Sequence, residues 1–391
     1  MSSHDHDDPT PQRPGTGATD TAASRHPTAG TRLPSGAVVT DARSASGRTT
    51  GPTTTRRTVL TGIGAALGGF GLGMASMHAI DSSRHPAAAA TTRRPLTLIY
   101  GADICDAPAI VAKEKGFFSQ AGLDVTLRRT VGDEDIKAAV GSGRYDASSG
   151  IFYSWLRPVE EGQDVTFVAG LHGGCLRLIV PKAARKDHLS SLRGATIGVP
   201  SLHSSATMFF SMDLLDAGIN PLPEAGQVNW KVMDSSVLAD ALRRGQVDAI
   251  ATSDPIAYRP VMEGYGYELA SNMSGANAQE FCCCTALNGK LVREEPEVAR
   301  ALVEAWAKGA RYVAGHEAEV AHLEVDRKYV AGDVATVERL LKTYTWKPSV
   351  TRLRSALMPG IRKFRKTGYL GHDVDVNALA DKAFTTLGLT W

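Results

Sequence analysis

From Pro95 onward the chain alternates between short apolar β-type runs and amphipathic helical segments, a pattern that few architectures satisfy. PLTLIY (Pro95 to Tyr100) reads as a buried strand. APAIVAKEKGFF (Ala107 to Phe118) reads as a helix, with Pro108 in the first turn, where a missing N–H is harmless, and Gly116 near the end. LDVTLRR (Leu123 to Arg129) is the next strand, and DEDIKAAVGSGRYDASSG continues as helix, turn and strand. Alternation of this kind builds a parallel-type sheet covered by helices on both faces. After DVTFVAGLHGGCLRLIV a second set opens with LRGATIGVPSLHSSATMFFSMDLLDAGI and runs to near Ala270. From Pro296 apolar residues recur at three- and four-residue spacing, so the C-terminal part is expected to be helical.

The N-terminal quarter follows other rules. Residues 1–55 are rich in Ser, Thr, Gly, Pro, Asp and His with few large apolar side chains. Such a segment cannot bury enough surface to offset chain entropy, so a disordered tail is expected, its HDHDD solvated rather than metal-binding. Residues 56–90 have the layout of an export signal. Arg56 and Arg57 precede an apolar, Gly-rich run from Val59 to Met77, and small residues follow in PAAAAT. The paired arginines favour the twin-arginine route. A permanent membrane anchor is the alternative, but the run carries six glycines between Gly62 and Gly73 and only just reaches the ~20 residues a span needs. No cysteine directly follows it, so a lipid anchor is not expected. A net charge of +2 with 21% charged residues argues against a nucleic-acid binder and against a multi-span membrane protein.

Four blocks in register, IVAKEKGFFSQAGLDVTL, AVGSGRYDASSG, LRGATIGVP and ALRRGQVDAIATSDP, resemble those of the NMT1/THI5-like and sulfonate/nitrate/taurine-type substrate-binding proteins of ABC importers. The similarity covers about residues 95 to 345. It implies an α/β, two-lobed type II periplasmic-binding-protein fold, with two inter-lobe crossings and a helical C-terminal part. One lobe is expected to comprise 91–174 and 282–391, the other 175–281. The implied function is extracytoplasmic binding of a small ligand in the inter-lobe cleft and its delivery to permease and ATPase partners, by a monomer peripheral to the membrane. No catalysis, cofactor or resident metal is assigned. The THI5-type pyrimidine synthases of this resemblance use a lysine for pyridoxal phosphate and a nearby histidine. Those positions fall at Gly150 and Ser154, which can form neither a Schiff base nor an imidazole contact.

The five cysteines are Cys105, Cys175 and the consecutive Cys282, Cys283 and Cys284. With the implied fold, GLHGGCLRLIV and EFCCCTALNG are the two crossings, Gly173-Gly174 is a candidate hinge, and all three cysteine loci point at one cleft. Small buried filler, a disulfide, and a thiolate-imidazole metal site using Cys105, Cys175, the triple run, His172 and His203 all remain open. Strand alternation would place Cys282 and Cys284 on the cleft face and Cys283 with Phe281 on the other. Other candidate contacts lie where strands end or helices begin. Ser201, Ser204 and Ser205 open a helix, either as an anion site or as simple caps. Ser148 and Ser149 end a strand, as does Asp254. Asp106 either complements a helix dipole or meets a cationic ligand group, and His172 and His203 are either structural or ligand contacts. The helix-opening serines suit an anion, whereas Asp106 opposes one. No arginine occupies an obvious cleft position, so a zwitterionic or heterocyclic ligand reconciles the signals better than a free sulfonate or nitrate.

Overall fold

The computed structural model describes residues 93–131, 134–275 and 280–391. The expected tail and export signal therefore lie outside the described residues. Among those described, ten strands form two five-stranded sheets. In chain order they are β1 (Arg94–Tyr100), β2 (Leu123–Arg129), β3 (Ala147–Ile151), β4 (Val165–His172), β5 (Leu176–Pro181), β6 (Thr196–Val199), β7 (Asn229–Val232), β8 (Ala249–Ser253), β9 (Gly266–Ser271) and β10 (Cys283–Asn288).

The first sheet has the order β2-β1-β3-β10-β4 and the second β7-β6-β8-β5-β9. Each contains the parallel ladder that alternation demands: β1 pairs in parallel with β2 and β3, and β6 with β7 and β8. Each also contains one antiparallel strand, β10 or β5, contributed by the chain just after it has crossed from the other sheet. These two arrival strands are covered on both faces, and every residue of β10 is buried. That is why CCTALN carries no charge, and its polar Thr285 and Asn288 are hydrogen-bonded. At the edge of the first sheet β2 alternates instead, with Leu123 and Val125 buried and Asp124 and Thr126 exposed.

The first crossing lies beside the start of β10, the Cys282 N–H donating to the His172 carbonyl at 2.8 Å. It is the three-residue step 173–175, where Gly174 has φ 112° and Cys175 φ 95°. Glycine adopts such angles freely; cysteine does so only under constraint. A Cβ on Gly174 would also meet Met273 Sδ at 2.5 Å, so this position accepts no side chain as it stands. The C-terminal part ties the lobes together. Gly173 and Thr345 exchange two backbone hydrogen bonds of 2.9 Å. Helix Val350–Arg365 sends Lys363 to Asp216, 2.6 Å away on a helix of the second lobe, and Tyr369 donates to the Leu202 carbonyl at 2.8 Å. No described helix is long and apolar enough to cross a membrane.

Candidate functional site

A cavity of about 300 Å³ opens between the two sheets at the crossings, lined by both lobes. The first-lobe wall begins with the 3-10 turn Ile104–Asp106 after β1, which presents Cys105 and Asp106. Asp106 is almost fully buried, accepting from the Ser149 hydroxyl at 3.0 Å and from the Asp103 N–H at 3.1 Å. Burial, followed by the nearby Asp103 carboxyl and Cys283 thiol, pushes its pKa up to about 8. Asp103 and the last residues of β3, Ser149 to Ile151, complete this wall.

The second-lobe wall is built from a helix start and a strand end. Ser204 caps helix Ser205–Asp216, its Oγ accepting from the Thr207 N–H at 3.2 Å. Ser204, Ser205 and Ala206 all line the cavity, where the first-turn N–H groups of a helix have no intrahelical partners. Asp254 follows β8 and is held from behind. The Arg177 guanidinium donates to both its oxygens (2.9 and 3.0 Å), and Tyr344 donates to it at 3.0 Å. Burial opposes the Arg177 charge, but Asp254 and Glu268 outweigh it and hold that pKa above the usual value. Among the described residues lining the cavity there are three carboxyls, Asp103, Asp106 and Asp254, and no Lys, Arg or His.

The structure thus brings Cys105, Asp106, Ser149, Ser204, Ser205 and Asp254 of the expected residues to one cavity, and leaves six others outside it. Ser148 points to the opposite face of β3 and donates to the Ile99 carbonyl at 2.7 Å. Ser201 and His203 precede the helix cap. The Ser201 carbonyl accepts from Thr207 Oγ1 at 2.7 Å, and the exposed His203 ring stands edge-on to Tyr369. His172 is completely buried behind the wall.

Cys282 and Cys284 require a correction, because Cys283 is the residue of the triple run that reaches the cavity. Alternation was extrapolated back from a strand that starts only at Cys283, and the pairing with β4 shifts register between Cys283 and Cys284. The Phe281 ring does find an apolar seat, directly over Gly170, where an added Cβ would come within 2.3 Å of it. The chain then turns, so Cys283 and Phe281 are not held to one face. Cys284 Sγ lies 3.4 Å from the Gly150 carbonyl oxygen, and burial pushes its thiol pKa up. Cys283 is opposite in character: the surrounding thiols of Cys105, then Cys175 and Cys282, hold it well below the ordinary thiol range. Asp103, Ser235, Thr252 and Tyr344 line the cavity without having been foreseen. Asp103 and Thr252 flank strand ends and were in principle findable, whereas Tyr344 arrives from the C-terminal segment, which has no strand-end signal.

A match to the NMT1-like family spans residues 89–325. The chain belongs to that family. Its two-lobed type II fold is shared with solved structures of low identity. The periplasmic aliphatic sulphonate-binding protein SsuA of Escherichia coli superposes with a TM-score of 0.60 at 13% identity, over 73% of this chain and 91% of that one. The desulfurization enzyme DszB does so with a TM-score of 0.52 at 16% identity, over 75% of this chain and 98% of that one. In sequence, the chain is 26% identical over 266 residues to the bicarbonate transport ATP-binding protein CmpC of Synechocystis, covering 61% of this chain. It spans only 38% of that relative's length. A binding protein and an enzyme share this fold, so function must be argued from the cavity. At Gly150 an added Cβ would stand 2.6 Å from Trp155 Nε1, so the indole occupies the space any side-chain stem at this position would need.

Proposed function

We propose that the chain is the exported solute-binding component of an ABC importer, carrying a small ligand between its lobes to a membrane permease and its ATPase. The family, the two-lobed fold and the paired arginines Arg56-Arg57 ahead of an apolar run all support this reading. Its ligand has a basic or donor-rich nitrogen group at one end and an acceptor or anionic group at the other. One observation carries that assignment: the cavity sets the carboxyls of Asp103 and Asp106 on one wall against a helix N-terminus on the other, where the one carboxyl, Asp254, is already paired with Arg177, and its described lining holds no cationic side chain. A buried carboxyl favours a cationic or donating partner, while a helix start favours negative charge. A simple sulfonate would meet uncompensated acid on the first-lobe side.

Native mass spectrometry of the purified chain, with and without candidate solutes, tests the assignment. A nitrogen-bearing zwitterion or amine should bind, be recovered chemically unchanged, and stabilise the fold by about 2.7 kcal/mol at a hundredfold excess over Kd. Recovery of a ligand with no donor group, or conversion of the bound solute, would overturn it.

A further inference from the structure

Behind the first-lobe wall, four chain segments bring thiols and one imidazole together. Cys105 comes from the turn after β1, His172 ends β4, Cys175 sits at the first crossing, and Cys282 and Cys283 lie at the start of β10. All five cysteines are free thiols. The donor atoms of Cys105, His172 and Cys283 lie within 4.8 Å of one another, as do those of Cys175, Cys282 and Cys283. Cys283 belongs to both sets. Its sulfur is 3.8 Å from that of Cys282 and 3.9 Å from that of Cys105. A tetrahedral ion with metal–sulfur bonds of about 2.3 Å and metal–nitrogen bonds of about 2.0–2.1 Å sets its donors roughly 3.5–3.8 Å apart.

The imidazole supplies the second observation. His172 is fully buried, is paired across the strands with Cys283, and packs against the rings of Tyr344 and Trp346. Neither of its ring nitrogens has a hydrogen-bond partner. Buried polar atoms are nearly always satisfied, and a metal ion held by the neighbouring thiols would satisfy this imidazole. The left-handed backbone of Cys175 fits the same account, since it directs a non-glycine residue into this cluster at a cost in backbone strain.

We propose that these residues form a site for one thiophilic d10 cation, zinc(II) or copper(I), at the floor of the cleft. Cys283 is the central ligand, joined by Cys105 and the unpartnered His172, with Cys175 or Cys282 completing the set. The sulfur-rich donor set selects this class over hard cations such as magnesium or calcium. Each coordinating thiol releases its proton as it binds. Cys105, Cys175 and Cys283 also line the cavity, so the ion would form part of its inner surface. The donor set includes no atom of the organic ligand, so the metal site holds or fails separately from the transport reading. The competing fate is oxidation of Cys175 and Cys282, whose sulfurs are 2.9 Å apart, to a disulfide.

The test uses the full chain, reduced and metal-free, titrated with zinc(II) alone and with copper(I) alone against a competing chelator, with metal counted by native mass spectrometry. Cobalt(II) serves as the spectroscopic probe. One equivalent of zinc or copper should bind, and cobalt should show thiolate-to-metal charge transfer with a tetrahedral d–d band. Cys283→Ser should weaken binding by more than the roughly tenfold that losing even an outer-shell partner costs. Cys105→Ser, a change at a partly exposed residue, should also weaken it and covers the case in which Cys283→Ser does not fold. Cys284→Ser, outside both donor sets, should leave stoichiometry and spectrum unchanged. Absence of charge transfer in the reduced chain, equal metal content in wild type and Cys105→Ser, or a Cys175–Cys282 disulfide that forms in air while the reduced chain ignores both metals would each overturn the proposal.

Discussion

Two buried aspartates face the cavity from opposite lobes, and their surroundings differ. Asp254 is gripped by a guanidinium that donates to both carboxylate oxygens, and by a tyrosine hydroxyl. Asp106 has only a serine hydroxyl and one backbone N–H, with further acid close by. A buried charge needs a partner from the protein or from outside it. Asp254 has found its partner within the fold and so belongs to the framework that joins β5, β8 and the C-terminal segment. Asp106 has no counter-charge among its contacts with the described residues, which leaves it for a ligand. The same residue type is therefore structural in one lobe and available for recognition in the other.

The sharpest way to break this comparison is to remove the guanidinium. Arg177 and Asp254 are both nearly inaccessible. Arg177→Met would leave a buried carboxylate unpaired and should destabilise the fold by about 3–5 kcal/mol, read as a drop in the urea midpoint. Adding Asp254→Asn should recover part of that loss. A single-variant loss below about 1 kcal/mol would mean that the pair is not the framework described.

Asp106→Asn should show the inverse profile. An amide can still accept from Ser149 and resembles the protonated carboxyl that burial favours below about pH 8, so stability should move by less than about 1 kcal/mol. Calorimetry with the ligand identified by native mass spectrometry should show affinity falling by about 1.5–3 kcal/mol, the range for a hydrogen bond to a charged group. If Asp106→Asn unfolded the chain as Arg177→Met should, the two aspartates would have the same role.

The asymmetry was only partly legible in the sequence. Two α/β sets, two crossings and a helical C-terminal part followed from periodicity and from four ordered blocks, because long-range register in such folds is set by repeated strand–helix units. Ser204 and Ser205 were legible because a helix must start with caps, and Asp106 because it follows a strand. Arg177 was missed: within the apolar run LRLIV nothing in the pattern shows that its charge turns inward to Asp254. The cysteine faces differ from the expectation because alternation holds only inside a strand, and β10 begins at Cys283, two residues after Phe281, where the expected alternation starts. The seat of Phe281 over Gly170 fixes where that irregularity lies, and Gly170→Ala tests it. With an added Cβ within 2.3 Å of the ring, overpacking should cost about 1–3 kcal/mol in chemical denaturation. No loss would mean that Phe281 is seated elsewhere and that the face of Cys283 must be reconsidered.

The smallest expected effect separates capping from recognition on the second-lobe wall. Ser204 accepts from the Thr207 N–H and shares a 2.7 Å hydrogen bond with the Thr207 hydroxyl, yet it also lines the cavity. A cap and a ligand contact respond differently to two substitutions. Ser204→Ala removes the cap and should cost about 1 kcal/mol, whereas Ser204→Gly, tolerated at a helix start, should cost only a few tenths. Ligand affinity should fall equally in both, because both delete the same hydroxyl from the cavity wall. Should affinity instead track stability, falling for alanine and not for glycine, Ser204 acts only by holding the helix start in place. The second-lobe contribution to recognition would then come from the backbone N–H groups of Ser205 and Ala206, and the contrast between an acidic side-chain wall and a backbone wall would be sharper still.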